Sequence, residues 1–276
     1  MKIKPRIITR FFLKHRLHLT LLCGMAILIA PRGTITAMEK TSPQGMILIP
    51  AGPFSMGIDK LPPDTPWGQE DAKPKQEIFL PAFYIDLTEV SYGDYKKVDP
   101  NLKIPGRTES FPVTDVTWFE ADHYCRAIGK RLPTEAEWEK AARGTDGRPY
   151  PWGDGFNPKK TNVGSAPMPV GSTPEDRSPY GVLDMAGNVS EWTDSWYQPY
   201  PGNKHPSTDY GLIQKVVRGG SFNVNRHYVD EMFAQTTFRN YNRPDAAGPD
   251  NGFRCALSVS ADPFPSQAEK RRGISK

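Results

Sequence analysis

The chain has 276 residues, room for one large domain or two small ones with a substantial core. Only 37% of it is hydrophobic, while 28 prolines, 24 glycines, 13 phenylalanines, 11 tyrosines and 6 tryptophans fill much of the rest, which excludes a fold of long regular elements and favours a loop-rich one stapled by aromatics. Seven of the 35 basic residues and none of the 31 acidic ones lie in residues 1–37, so the formal +4 becomes about −3 beyond them, and no basic stripe suited to nucleic acid is left.

Lys2, Lys4, Arg6, Arg10, Lys14 and Arg16 precede an apolar run, LTLLCGMAILIA, over residues 19–30. A basic stretch followed by such a run is the pattern of a secretory signal. The run is shorter than the roughly 20 residues that a spanning helix needs, and Ile35-Thr36-Ala37 offers a cleavage site. Residues 1–37 are therefore expected to be a signal peptide, with an uncleaved N-terminal anchor as the other reading and the one route to a membrane. Leu22 stands before Cys23 where lipid attachment needs a small residue, which argues against a lipoprotein. Residues 38–44 read as a linker, and the expected location is periplasmic or extracellular.

Alternation begins in MILIPAGPFSMG, residues 46–57, as strand broken by a Pro-Ala-Gly turn. Residues 58–76 have no period and are expected to form a polar surface loop, after which residues 77–86, EIFLPAFYID, resume as strand. Two helices are marked by their caps. Thr117 with Glu120 and Thr134 with Glu137 form T-x-x-E capping boxes, and Gly129 and Gly144 are natural stops. In the first, Phe119, Ala121, Cys125 and Ile128 are apolar and are expected to face the core.

Two cysteines lie beyond the signal, Cys125 and Cys255, the second in the strand-like NGFRCALSV. In an oxidising compartment they suit one disulfide closing about 130 residues, worth roughly 5 kcal/mol before native strain; two separate buried thiols are the alternative. A bridge would join an early helix to the last strand and make residues 45–260 one domain. Residues 261–276 read as a disordered tail, and no internal repeat or low-complexity tract interrupts the chain.

The ordered set MILIPAGPFSMG, FYIDLTEVSYGDYKK, GKRLPTEAEWEKAARG, YPWGD, YGVLDMAGNVSEWT, VVRGGSF and NGFRCAL resembles the sulfatase-modifying-factor family, whose founding members are formylglycine-generating enzymes. The resemblance covers residues 45–258 and implies an α+β class, a single compact domain of C-type-lectin-like fold with low regular secondary structure. Members that form formylglycine carry two copper(I)-binding cysteines just after the Gly-Gly-Ser turn. Their places are taken here by Val224 and Val229. Soft copper(I) needs thiolate, and a valine methyl has no lone pair to give, so neither copper nor copper-dependent formylglycine generation is expected. Ala142 and Ala234 stand where a second family disulfide would be, while Cys125 and Cys255 match the one that is kept.

The resemblance also implies calcium, held by the side chains of Asp184 and Glu191 and the carbonyls of Gly187 and Val189; oxygens of this kind suit a hard cation. Ordinary turn and surface carboxylates are the alternative reading of the two acids. A second family site, at Asn162 and Val163, lacks its acidic partner and reads as degraded. Ser221, Arg226 and Tyr228 match residues around the family's substrate groove, with Trp192 and Trp196 as further lining; a fold-required turn and core tryptophans are the alternative. His227, Asp230 and Glu231 are the candidate catalytic set, of a type that suits non-haem iron, but His123 and His205 are the other histidines beyond the signal and neither has ligand-like spacing.

Two functions follow. One is an exported binding or maturation factor, without copper, for a protein or peptide partner outside the cytoplasm. The other is a periplasmic oxidoreductase of altered chemistry, similar to family members that act on siderophore precursors without the copper cysteines.

Overall fold

A computed structural model describes residues 42–60, 69–102, 109–223 and 230–259, all in one compact unit. The Pro-Ala-Gly turn separates β1 (Met46–Ile49) from β2 (Gly52–Met56), as expected, but the two strands do not pair with each other. β2 runs antiparallel to β3 (Gln76–Leu80), and β1 to β4 (Phe83–Asp86), which pairs on its other side with β9 (Ala256–Ser258). The stretch read as one strand over residues 77–86 is therefore two. Pro81 falls at the break, where a residue without an amide proton costs no ladder bond and the chain passes from one sheet to the next. The loop after β2 also departs from expectation, because its end turns inward: Gln69 and Ala72 are buried around a single 3-10 turn at Glu70–Ala72.

Both capping boxes are formed. At α2 (Trp118–Ala127) the Thr117 hydroxyl accepts from the Glu120 amide at 3.3 Å and the Glu120 carboxylate accepts from the Thr117 amide at 2.8 Å. Thr134 and Glu137 repeat the arrangement at 3.2 and 2.8 Å at the start of α3 (Glu135–Arg143). A one-turn α1 (Tyr92–Tyr95) is capped by Ser91. Helix α2 buries Ala121, Tyr124 and Cys125, a single i, i+3, i+4 face. Phe119 and Ile128, expected inward, stand 57% and 40% exposed. For Phe119 the period decides this, since position 119 lies about 200° around the helix from position 121 and both cannot face one core; Ile128 is the C-cap, past the last helical residue.

The second sheet has the order β7 (Arg239–Asn242), β6 (Lys215–Arg218), β5 (Ser190–Trp196), β8 (Asn251–Gly252), with β8 parallel to β5 and the other pairs antiparallel. A short α4 (Asp230–Phe233) lies between β6 and β7 in the chain. Cys125 and Cys255 are bonded across a sequence separation of 130, fastening α2 to the approach of β9 inside a cluster with Tyr124, Trp192 and Phe253. Helix α3 packs Trp138, Ala141 and Ala142 against Phe83, Ile85 and Met185.

Buried charges hold these layers in register. Glu139, fully buried, takes Arg218, Arg143 at 2.9 Å and the Gly57 amide at 2.7 Å. Glu135 takes Arg239 at 2.7 Å and the Tyr200 hydroxyl at 3.1 Å. Arg254 reaches Glu191 through two nitrogens, each at 2.7 Å, and also donates to the carbonyls of Leu183 and Asp184. Carboxylates withdrawn from water this far persist because each is met by guanidinium and further donors.

Candidate functional site: a polar cleft beside the Gly-Gly-Ser turn

The chain leaves β6 through Gly219 and Gly220. A Cβ at Gly220 would lie 2.6 Å from the Ala186 carbonyl, so this close approach admits only glycine, and it seats the turn against residues 184–188. Ser221 follows, 5% exposed, and its hydroxyl donates to Asp250 Oδ2 at 3.0 Å. Asp250 is fixed from a second side, its carbonyl accepting the Ser190 amide at 2.9 Å. Next to this pair opens a cleft of about 360 Å³ whose walls include Ser190, Asn240, Asn242, Asp250 and Asn251 and whose floor includes Val217.

Of the residues expected around a substrate groove, Ser221 adjoins this cleft through Asp250. Arg226 and Tyr228 lie outside the described residues, as do Val224, Val229 and His227. Asp230 opens α4, though its side chain is not described, and the carbonyl of Glu231 accepts the Tyr150 hydroxyl at 3.2 Å. His123 and His205 are exposed. Trp192 is corrected: it is fully buried in the α2 cluster, its indole donating to the Val116 carbonyl at 3.0 Å, and it lines no groove. Trp196 is occupied too: the Lys215 ammonium lies 4.2 Å from its ring centroid and 3.9 Å from that of Trp118.

The candidate calcium ligands divide. The Asp184 carboxylate accepts the Gly171 amide at 2.5 Å and the Thr173 hydroxyl, and Asp184 itself has a φ of +55°. Glu191 does not suit a cation, because both its oxygens are held by Arg254 and one also by the Trp138 indole at 2.8 Å. Asn162 is spent on the turn: its carbonyl accepts the Asn188 amide at 2.8 Å, and its side chain bonds the Gly164 amide, the Ala166 carbonyl and the Asn188 side chain. Among the described residues no three His, Cys, Asp or Glu side chains converge as a metal-binding group.

Beside Asp184 stands a carboxyl that the sequence reading missed. Glu89 is 3% exposed, takes the Asn188 amide group at 3.0 Å on one oxygen, and has no partner on the other. Burial, with the charge of Asp184 second, pushes it well above the ordinary carboxyl range. Asp176, fully buried beneath the same turn, is pushed up to about 7 by burial against the opposing hydrogen bond from Thr161. The donor chemistry left for a hard cation is the Asp184 carboxylate, the Gly187 and Val189 carbonyls and the free Glu89 oxygen.

Residues 31–259 match the sulfatase-modifying factor enzyme 1-like domain. The chain belongs to this family. Among its relatives, a mouse protein named inactive C-alpha-formylglycine-generating enzyme 2 is 30% identical over 78% of this chain and 86% of its own length. A formylglycine-generating enzyme of Thermomonospora curvata is 29% identical over 96% of this chain and 84% of its own. The solved structure of PvdO from Pseudomonas aeruginosa superimposes with a TM-score of 0.62 at 25% identity, covering 78% of this chain and 94% of that one. The fold is thus the family's C-type-lectin-like α+β domain, and the Cys125–Cys255 bridge is present in it.

Asp250 could have been found in the sequence only as part of the turn signal P-D-N-G, since nothing local ties it to Ser221, 29 residues away. Glu89 carried no signal of burial at all, sitting between Thr88 and Val90 in a segment that reads as a strand end.

Proposed function

We propose that this family member is an exported binding or maturation factor that works without copper and holds a protein or peptide partner outside the cytoplasm, in the cleft beside Ser221. The observation that carries the proposal is the pair Val224 and Val229 at the positions of the copper-binding cysteines, where no thiolate is left to bind copper. Similarity to a relative named as inactive points the same way. Asp250 lines the cleft and holds the Ser221 hydroxyl behind it, and the family resemblance is what recommends Arg226 and Tyr228, outside the described residues, as further candidates for contact with the partner. Export is supported by the basic and apolar residues 1–37 and by the paired Cys125 and Cys255, which suit an oxidising compartment. Calcium is proposed as a structural ion on Asp184 and the carbonyls of Gly187 and Val189, with Glu89 in place of Glu191, pinning the turn that carries Asn188.

The test is elemental analysis of the exported protein, purified without chelator, together with an assay for turnover of cysteine-containing peptides. Calcium near one equivalent, no copper or iron, and no turnover are expected. Turnover with Val224 and Val229 intact would overturn the proposal. Stoichiometric iron or copper lost on His227→Ala or Glu231→Ala would do so too, and would assign the pocket to an oxidoreductase of altered chemistry.

A further inference from the structure

A second cleft, of about 490 Å³, opens between the end of β4, α1 and the C-terminal end of α2, and shares no lining residue with the one beside the Gly-Gly-Ser turn. Its walls carry two acid and lysine pairs, Asp86 with Lys130 at 2.5 Å and Asp94 with Lys97 at 2.6 Å. The second pair is local, three residues apart at the end of α1. The first spans 44 residues and joins β4 to the segment that follows α2.

In these pairs the acceptors are occupied and the donors are not. Asp86 accepts from Lys130 on one oxygen and from the Cys255 amide, at 2.9 Å, on the other. Asp94 accepts from Lys97 on one oxygen and from the Ser91 hydroxyl, at 2.9 Å, on the other. An ammonium carries three N–H donors, and among the described residues each of these two meets one acceptor, so both Lys97 and Lys130 keep donors open. The Tyr124 hydroxyl bonds to no described residue either. Burial, with the charges of Asp94 and Asp86 next, pushes its pKa up, so it stays a protonated donor near both pairs. Glu89 also borders the cleft, but its carboxyl is turned to Asn188, whose amide group it takes at 3.0 Å, and to Asp184. Ile128, exposed at the end of α2, adds an apolar wall beside the open donors.

We infer that this cleft binds the carboxylate of a ligand with a short aliphatic body, the anion taken by Lys130 and Lys97 with Tyr124 and the body laid on Ile128. The site is separate from the binding role proposed above and does not depend on it. The two pairs are neutral together, so open donors and not net charge set the preference. A ligand ammonium would find both acids engaged and two like charges beside them, and a neutral amide would forgo the charge-assisted bonds. The same chemistry belongs to a free branched-chain acid and to the C-terminal residue of a peptide.

The experiment titrates the protein, expressed with its own N-terminal segment and purified after export, with acetyl-leucine, acetyl-leucine-amide and isovalerate. Binding is read from amide shifts over residues 86–97 and 124–130 at low salt and neutral pH. Acetyl-leucine is expected to bind roughly ten-fold more tightly than its amide. Isovalerate binding as tightly as acetyl-leucine would support the site and make the ligand a free acid; weaker binding of isovalerate would support it and make the ligand a peptide terminus. Lys130→Met should remove the preference for the carboxylate, Lys130→Arg should keep it, and Lys97→Met should narrow it. The amide binding as tightly as acetyl-leucine, or a preference unchanged in both methionine variants, overturns the inference. So do shifts confined to residues 240–251, or no shifts from any probe at millimolar concentration. Should Lys130→Met fail to fold, Lys97→Met, at an exposed side chain, decides the same question.

Discussion

Ser221 and Asp250 meet at 3.0 Å across 29 residues of chain, so that the turn leaving β6 and the loop entering β8 are closed by a single hydrogen bond to a carboxylate. Ser221 is buried and Asp250 half-buried, which makes the bond worth more than a surface contact. Ser221→Ala is expected to lower stability by about 1 kcal/mol in urea unfolding. A double-mutant cycle with Asp250→Asn should return a coupling of similar size, and additive losses would mean that the two residues are not linked in solution.

The Glu191 and Arg254 pair is fully buried, and its members differ in what they leave behind. Removing the carboxylate by Glu191→Gln strands a buried guanidinium, with an expected loss of about 3–5 kcal/mol. Arg254→Met is expected to cost more, because the carbonyls of Asp86, Leu87, Leu183 and Asp184 lose a donor together with Glu191. Replacing both residues by Met and Leu should be milder than Arg254→Met alone. Unfolding midpoints of the three variants give the order, and a double variant worse than either single one would contradict it.

The bridge between Cys125 and Cys255 closes 130 residues, a long loop for the unfolded chain to lose. The chain-entropy account gives roughly 5 kcal/mol for such a closure as an upper figure. Changing both cysteines to alanine is expected to cost several kcal/mol, and also to make the protein sensitive to protease at temperatures where the oxidised form resists it. A variant that keeps its unfolding midpoint within the error of the measurement would remove the disulfide from the stability argument.

What could be read in the sequence was what is local. The capping boxes at Thr117 and Thr134 were legible because a Thr and a Glu three residues on form their bonds within one turn. The break at Pro81 is equally local, but strand-like alternation continues on both sides of it and hides it. Phe119 is apolar yet stands on the outer face of α2, because helical angle and not hydrophobicity sets its side. Pairing is another matter: that β1 joins β4, or that β8 joins β5, depends on partners tens of residues away, and no short stretch records it. The buried Glu139, Arg218 and Arg254 were invisible for the same reason, because a charge reads as surface until its partner is known. Trp192 reversed that error, a tryptophan read as cleft lining that serves the core.

Glu135 offers the clearest pH dependence. Burial pushes its carboxyl up, but Arg239 and Arg218, with hydrogen bonds from Arg239 and Tyr200, outweigh burial and hold it below its ordinary 4.5. A carboxyl whose folded pKa is depressed contributes stability above its unfolded pKa and loses that contribution as pH falls through the folded value. Glu135→Gln cannot ionise, so the gap between wild type and variant measures the charge. At neutral pH the gap is expected to be about 3–5 kcal/mol, since Arg239 and Arg218 would be left facing a neutral group. Below about pH 4.5 it should shrink as the wild-type carboxylate takes up its proton. Urea midpoints of both proteins at pH 7 and pH 3 test this directly. A gap that stays constant across that range would mean that Glu135 acts through shape and hydrogen bonding, with its charge contributing nothing to the fold.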